Sequence, residues 1–249
     1  MNTRKLIFLL ISSLTLMGSC QNQLKETSKE TPIAQETPNT SKVEIPTTEP
    51  TPIEMEPIEI PEGYSLIGET EGDLDKDGKD EKIQVYDTGA EAELGTERAL
   101  YIYKANKNTW EIWHKSQGAV LSSRHGGVLG DPFEDIRIER GAIVIDHFGG
   151  SRVKWNYTHR YRFQKNDWYL IGASIRYGAP CDFWDHFDYN LSTGKIDIKK
   201  EVENCDDESQ KKETTYSFTH KLSPLPKMDG IYPGDTEVKS PEAEESFYY

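Results

Sequence analysis

The chain is poor in cysteine, in positive charge and in long apolar runs, and each shortage removes a class of function. Three cysteines in 249 residues, none in CxxC spacing, supply no thiolate cluster for a structural zinc or a thioredoxin-like redox motif. Forty-three Asp and Glu face 29 Lys and Arg, a formal charge of −14, which makes phosphate backbones and anionic lipid surfaces poor partners; no nucleic acid is expected. There is no HExxH, no GxSxG, and no glycine loop that opens a helix. Helical periodicity is also missing over any useful length. Only residues 6–16 form an extended apolar run, and that run is short for a bilayer span.

That run belongs to the first informative pattern. Arg4 and Lys5 form a positive start, residues 6–16 an apolar centre, and Met17-Gly18-Ser19-Cys20 a small-residue end. The pattern resembles the signal peptide and lipobox of bacterial lipoproteins, with Met17 where Leu, Val or Ile is usual. The resemblance implies cleavage before Cys20, acylation of its sulfur, and a membrane partner reached through lipid. Two or three acyl chains give the stable anchoring that one does not. The expected place is the bacterial cell envelope, at the outer membrane, facing periplasm or surface. Loss of Arg4 and Lys5 takes the charge to about −16.

With Cys20 given to lipid, Cys181 and Cys205 remain as an even pair in an oxidising compartment, and a disulfide is expected. Residues 20–62 read as a disordered tether, rich in Thr, Pro and Glu, with prolines at 32, 38, 46, 50, 52, 57 and 61 and no aromatic residue within it. Residues 223–249 read as an acidic tail with Glu242, Glu244 and Glu245, in which only Phe247-Tyr248-Tyr249 suggests docking. The expected order is a signal peptide at 1–19, the lipidated tether at 20–62, a folded domain at 63–222 and the tail.

Within the domain the grammar is that of β-structure. Trp155, Tyr157, His159, Tyr161 and Phe163 alternate with polar residues, a period of two that puts the aromatics on one face of a strand. Lys165-Asn166-Asp167 then turns the chain into Trp168-Tyr169-Leu170-Ile171 as an antiparallel partner. Leu100 to Tyr103 and Trp110 to Trp113 flank a second turn, and Ile136, Ile138, Ile143 and Ile145 flank a third at Arg140-Gly141. An all-β, mostly antiparallel domain is expected, with barrel, sandwich and partial propeller all open.

One motif carries ligand chemistry. Asp73, Asp75 and Asp77 occupy positions 1, 3 and 5 of a loop whose sixth residue, Gly78, permits a sharp turn; such oxygen ligands suit Ca²⁺. An EF-hand needs a bidentate Glu at position 12, where this chain has Gln84. The stretch resembles instead the DxDxDGxxD loop of FG-GAP and VCBS repeats. That resemblance implies side-chain ligands from Asp73, Asp75, Asp77 and Glu81 and a backbone ligand from Lys79, with Glu81 standing where Asp is usual. The motif does not recur, so a complete propeller is not implied. A closed shell leaves no position for a substrate, so the ion's expected role is structural.

The pattern from Gly126 to Glu134, with His147-Phe148-Gly149-Gly150-Ser151 and the aromatic strand, resembles a group of exported proteins of Bacteroidota without an established activity. Enzyme candidates are His125, His147, His159, Asp131, Glu134 and Asp146, whose spacing fits no known constellation; an exported hydrolase is the alternative reading. The preferred reading is a binding module for an envelope glycan or protein. Trp155 and Trp168 are assigned to packing, and Trp184, beside Asp182, Asp185 and His186 in the Cys181–Cys205 loop, is the expected ligand contact.

Overall fold

The computed structural model describes residues 54–241 and 246–249. The signal segment, Cys20, the tether to residue 53, and Glu242, Glu244 and Glu245 lie outside the described residues. Four strands, β1 (Ser65–Gly72), β2 (Glu81–Ala92), β3 (Gly95–Asn106) and β4 (Thr109–Ser116), form a first sheet in chain order. Seven more, β5 (Phe133–Glu139), β6 (Ala142–Gly150), β7 (Lys154–Gln164), β8 (Asp167–Ala179), β9 (Phe183–Asn190), β10 (Lys195–Val202) and β11 (Lys212–Thr219), form a second, also in chain order. A short pair, β12 (Glu237–Lys239) and β13 (Ser246–Tyr248), follows. Among the described residues every strand-to-strand pairing is antiparallel, and one isolated bridge, Gly127 to Gly150, is parallel.

The turns follow from backbone chemistry. Arg140 and Gly141 have φ of 54° and 72°, and Lys165 and Asn166 have 51° and 61°. Positive φ at both central residues is the twist that matches a two-residue hairpin. These turns set the register Glu139↔Ala142 and Gln164↔Asp167. Register then decides which side chains are buried, because a shift of one residue would turn every side chain to the other face.

One core lies between the sheets. Ile83, Val85, Leu100 and Ile102 of the first meet Ile143, Ile145, Tyr161, Leu170, Ala173, Phe187 and Ile198 of the second. The arrangement is two open sheets with a shared core, and among the described residues neither closes, which excludes the barrel. Trp168 packs edge-on against Trp113 at 5.2 Å between ring centroids, in the packing role expected of it.

The first sheet also has an apolar outer face. Tyr86, Ala99, Tyr101 and Tyr103 form a second cluster there, covered by Ile58, Tyr64, Leu66 and Trp110. The Glu56 N–H donates to the Asn108 carbonyl at 2.7 Å, fixing the covering segment beside the β3–β4 turn. Residues 54–62, read from sequence as tether, therefore lie on the domain. The same holds after residue 223: Met228, Ile231, Val238, Phe247 and Tyr249 are buried in the main core. Their apolar side chains are too widely spaced among prolines and acids to show as a strand pattern, yet each finds a place between elements.

Candidate functional site

The turn from β1 to β2 is the candidate metal centre. Lys76 and Gly78, at φ of 68° and 82°, let the chain reverse. Asp73 then accepts the N–H of Lys76 at 2.6 Å and of Gly78 at 3.1 Å, and Asp77 accepts that of Lys79 at 2.8 Å. Glu81, the first residue of β2, is only 2% exposed and accepts the Leu74 N–H at 2.8 Å. One carboxylate oxygen each from Asp73, Asp75 and Glu81 lie within 4.8 Å of one another. Asp77 is outside that group, its carboxylate turned to the Lys79 N–H, so Lys79 enters the turn as a donor.

Sequence reasoning missed the fourth charge of this centre. Lys104 of β3 hydrogen-bonds Asp75, stands 3.7 Å from Glu81 Oε1, and lies 3.9 Å from the centroid of the Trp113 ring. Only the β2–β3 register, which pairs Lys82 with Tyr103, brings it alongside Glu81. Burial pushes the Glu81 carboxyl above its ordinary value against the stabilising Leu74 N–H, and the charge of Asp75 pushes it further. Burial disfavours the Lys104 ammonium as well, but its hydrogen bond to Asp75 and the charges of Asp75 and Glu81 prevail and raise its pKa. With all groups ionised, three carboxylates against one ammonium leave two negative charges uncompensated. An all-oxygen, convergent donor set of this charge fits a hard divalent cation.

Trp184 sits on the outer face of the second sheet, opposite Gly178 of β8 and Glu201 of β10. Gly178 leaves room for it: a Cβ there would approach the Trp184 ring to 2.8 Å. The Arg176 guanidinium stacks 4.0 Å from the ring centroid. On the same face His186 hydrogen-bonds Glu201 at 3.1 Å, and Lys199 pairs with Glu201 at 3.0 Å. Asp185 belongs to the alternate positions of the strand, where Lys200 is 3.5 Å away, and Asp182 pairs with Arg152 at 2.8 Å. Cys181 and Cys205 are joined, with Cα atoms 4.9 Å apart, so a crosslink ties the β8–β9 turn to the chain leaving β10 at the end of the sheet that carries Trp184.

Of the residues from which a hydrolytic centre could have been drawn, the three histidines neighbour one another, while Asp131, Glu134 and Asp146 are engaged elsewhere or exposed. His147 and His159 are fully buried core residues on neighbouring strands. His147 Nε2 accepts the Leu121 N–H at 3.2 Å, while His147 Nδ1 and both ring nitrogens of His159 have no partner among the described residues. Burial lowers the His147 pKa to about 3 and that of His159 to about 4. Asp146 points to the other face and holds Arg137 and Thr158, Asp131 pairs with the buried Arg98, and Glu134 is exposed. His125 stands in a cleft of about 570 Å³ with Ser122, Tyr232 and Asp235, close enough for its charge to lower the His147 pKa further, and burial lowers its own pKa against the opposing charge of Asp235. The glycines of the 126–134 and 147–151 stretches are a joint: the Gly150 N–H donates to the Gly126 carbonyl at 2.9 Å, and the Phe148 N–H to the Pro132 carbonyl at 2.8 Å. Comparison with family models, with curated proteins and with solved structures finds no match.

Proposed function

We propose that the chain is a lipid-anchored binding module of a bacterial cell envelope. In this reading Cys20 carries the anchor, the β1–β2 turn holds a structural Ca²⁺, and the Trp184 end of the second sheet receives an envelope glycan or protein. The supporting observation is the outer face itself: a tryptophan stacked under Arg176 and flanked by hydrogen-bonding His186, Glu201 and Lys199, at the end of the sheet that the disulfide fastens. An aromatic plane beside polar groups offers both stacking and hydrogen bonds to a sugar ring or a partner side chain. Asp73, Asp75 and Glu81 would hold the calcium, and the ion's contribution is charge balance at the turn.

A binding screen of the full chain against envelope glycans and envelope proteins tests the surface. Trp184→Ala is expected to weaken the ligand found at least tenfold while leaving the melting temperature in place; undiminished binding rejects the assignment. The anchor is tested separately, because Cys20→Ala should abolish metabolic labelling with palmitate. Label retained in that variant would place the lipid elsewhere.

A further inference from the structure

We propose that a second site, at the other end of the same strands, binds the acidic groups of an anionic glycan. The groove has a volume of about 830 Å³ and is lined by Arg140, Arg160, Arg162, Asn190, Ser192 and Thr193. Its floor is the outer face of β6 to β8, where Val144 lies opposite Arg160, and Arg160 opposite Gly172. Along β9, Asn190 is at the far end from Trp184, so this groove and the Trp184 surface are separate and neither reading needs the other.

The charge pattern singles the groove out. Of the described arginines elsewhere all but the lone Arg124 are occupied: Arg98 by Asp87 and Asp131, Arg137 by Asp135, Glu139 and Asp146, Arg152 by Asp182, and Arg176 by the Trp184 ring. Arg140 and Arg162 have no carboxylate partner among the described residues, in a chain with 14 more acidic than basic charges. Two carboxylates border the groove, and both are engaged. Glu139 accepts from Arg137 Nε at 2.6 Å, and Asp188 accepts from Ser174 Oγ at 2.6 Å, whose oxygen in turn accepts from Arg160 Nη1 at 2.9 Å. The positive edge thus survives against the field of the whole protein.

Guanidinium groups present forked donors that match carboxylate and phosphate oxygens in pairs, which is why this chemistry selects such anions over neutral ligands. Asn190 Nδ2 and the Ser192 hydroxyl, without partners among the described residues, add groups suited to sugar hydroxyls. The apolar groups of the lining are mostly buried, Ala142, Val144 and Tyr189 fully so and Ile171 in part, and the exposed ones are guanidinium, amide and hydroxyl, which favours a saccharide over a peptide, whose affinity would need exposed apolar anchors.

Calorimetry on the purified full chain distinguishes the sources of the anion. The probes are an oligogalacturonate for sugar carboxylates, a phosphorylated mannan oligosaccharide for sugar phosphates, a neutral gluco-oligosaccharide of similar length, and an oligoglutamate peptide. At least one anionic saccharide should bind, more weakly as salt is raised, with the neutral one inert. Arg140→Gln with Arg162→Gln should cut that affinity tenfold or more at unchanged melting temperature, whereas Lys239→Gln, which removes an exposed charge on β12, should leave it intact. The proposal is overturned if neither anionic saccharide binds, if the peptide or the neutral sugar binds as tightly, or if the double arginine variant matches the parent.

Discussion

The outer faces of the two sheets are opposites. That of the first is apolar and covered: Tyr86, Tyr101 and Tyr103 lie beneath Ile58, Tyr64 and Trp110. That of the second, from β7 to β10, is polar and bare, with Thr158, Ser174, Asp188 and Asp197 in one cross-strand row and Asn156, Arg176, His186 and Lys199 in the next. The contrast is written in the strands. Leu100-Tyr101-Ile102-Tyr103 is apolar without interruption, as a strand buried on both sides must be, whereas β7 and β9 alternate. A sheet face left polar and uncovered is available for recognition, and one that needs a cover is committed to stability.

The largest effect should come from the covered face. Tyr103→Ala, which removes a buried ring hydrogen-bonded to Tyr86 at 2.9 Å, is expected to destabilise by about 4 kcal/mol in denaturant titration. Thr215→Ala, on the exposed face of β11, should change stability by no more than about 0.5 kcal/mol. Equal losses at the two positions would erase the contrast. Next comes the crosslink. Cys181→Ser with Cys205→Ser opens a loop of sequence separation 24 and should cost about 3 kcal/mol, with hydrogen exchange rising at the Trp184 end of β9. A stable double variant with unchanged exchange would mean that the bare face holds its own edge.

The third test concerns the turn that starts the covered sheet. Saturating Ca²⁺ at a hundredfold excess over its dissociation constant should add about 2.7 kcal/mol, visible as a higher melting temperature that chelation reverses. Asp75→Ala should remove the dependence, and Mg²⁺ should replace Ca²⁺ poorly because it needs a smaller, stricter octahedron. Identical melting in chelator and in millimolar calcium would leave the turn to Lys104 alone. The last test lies on the inner face of the second sheet. His159 stays neutral in the fold down to about pH 4, while in the unfolded chain it takes up a proton near 6.5, so stability is lost as pH falls through that window. The loss is about 1.4 kcal/mol per pH unit for each such histidine. His159→Phe also removes two unpartnered nitrogens, and should therefore abolish its share of the acid slope without loss of stability at pH 7.

What could be read in the sequence was whatever is encoded by neighbours along the chain. The β7–β8 hairpin, the β5–β6 turn at Arg140-Gly141 and the pairing of Cys181 with Cys205 all follow from local pattern or from counting. Asp73, Asp75 and Glu81 converge as their shared register suggests, but Asp77 turns away because a nearer donor, the Lys79 N–H, takes its carboxylate. Lys104 could not be seen, since its place beside Glu81 depends on a cross-strand register rather than on spacing. The flanks misled for a similar reason. Ile58, Met228, Ile231 and Val238 are single apolar residues in polar, proline-rich surroundings, and only a tertiary surface gives them a partner.

The meander order of both sheets has a kinetic consequence. Each strand of the two large sheets pairs with a neighbour in sequence, so every hairpin can close without waiting for a distant segment, and the entropy of loop closure stays small. The distant contacts are those between the sheets, where Ile83 and Leu100 on one side meet Ile145 and Tyr161 on the other, and those of the C-terminal segment with the same core. Before those contacts form each sheet exposes a full apolar face to water, and a second copy of either offers the same surface. The hazard of misassembly thus lies in joining the sheets rather than in pairing their strands.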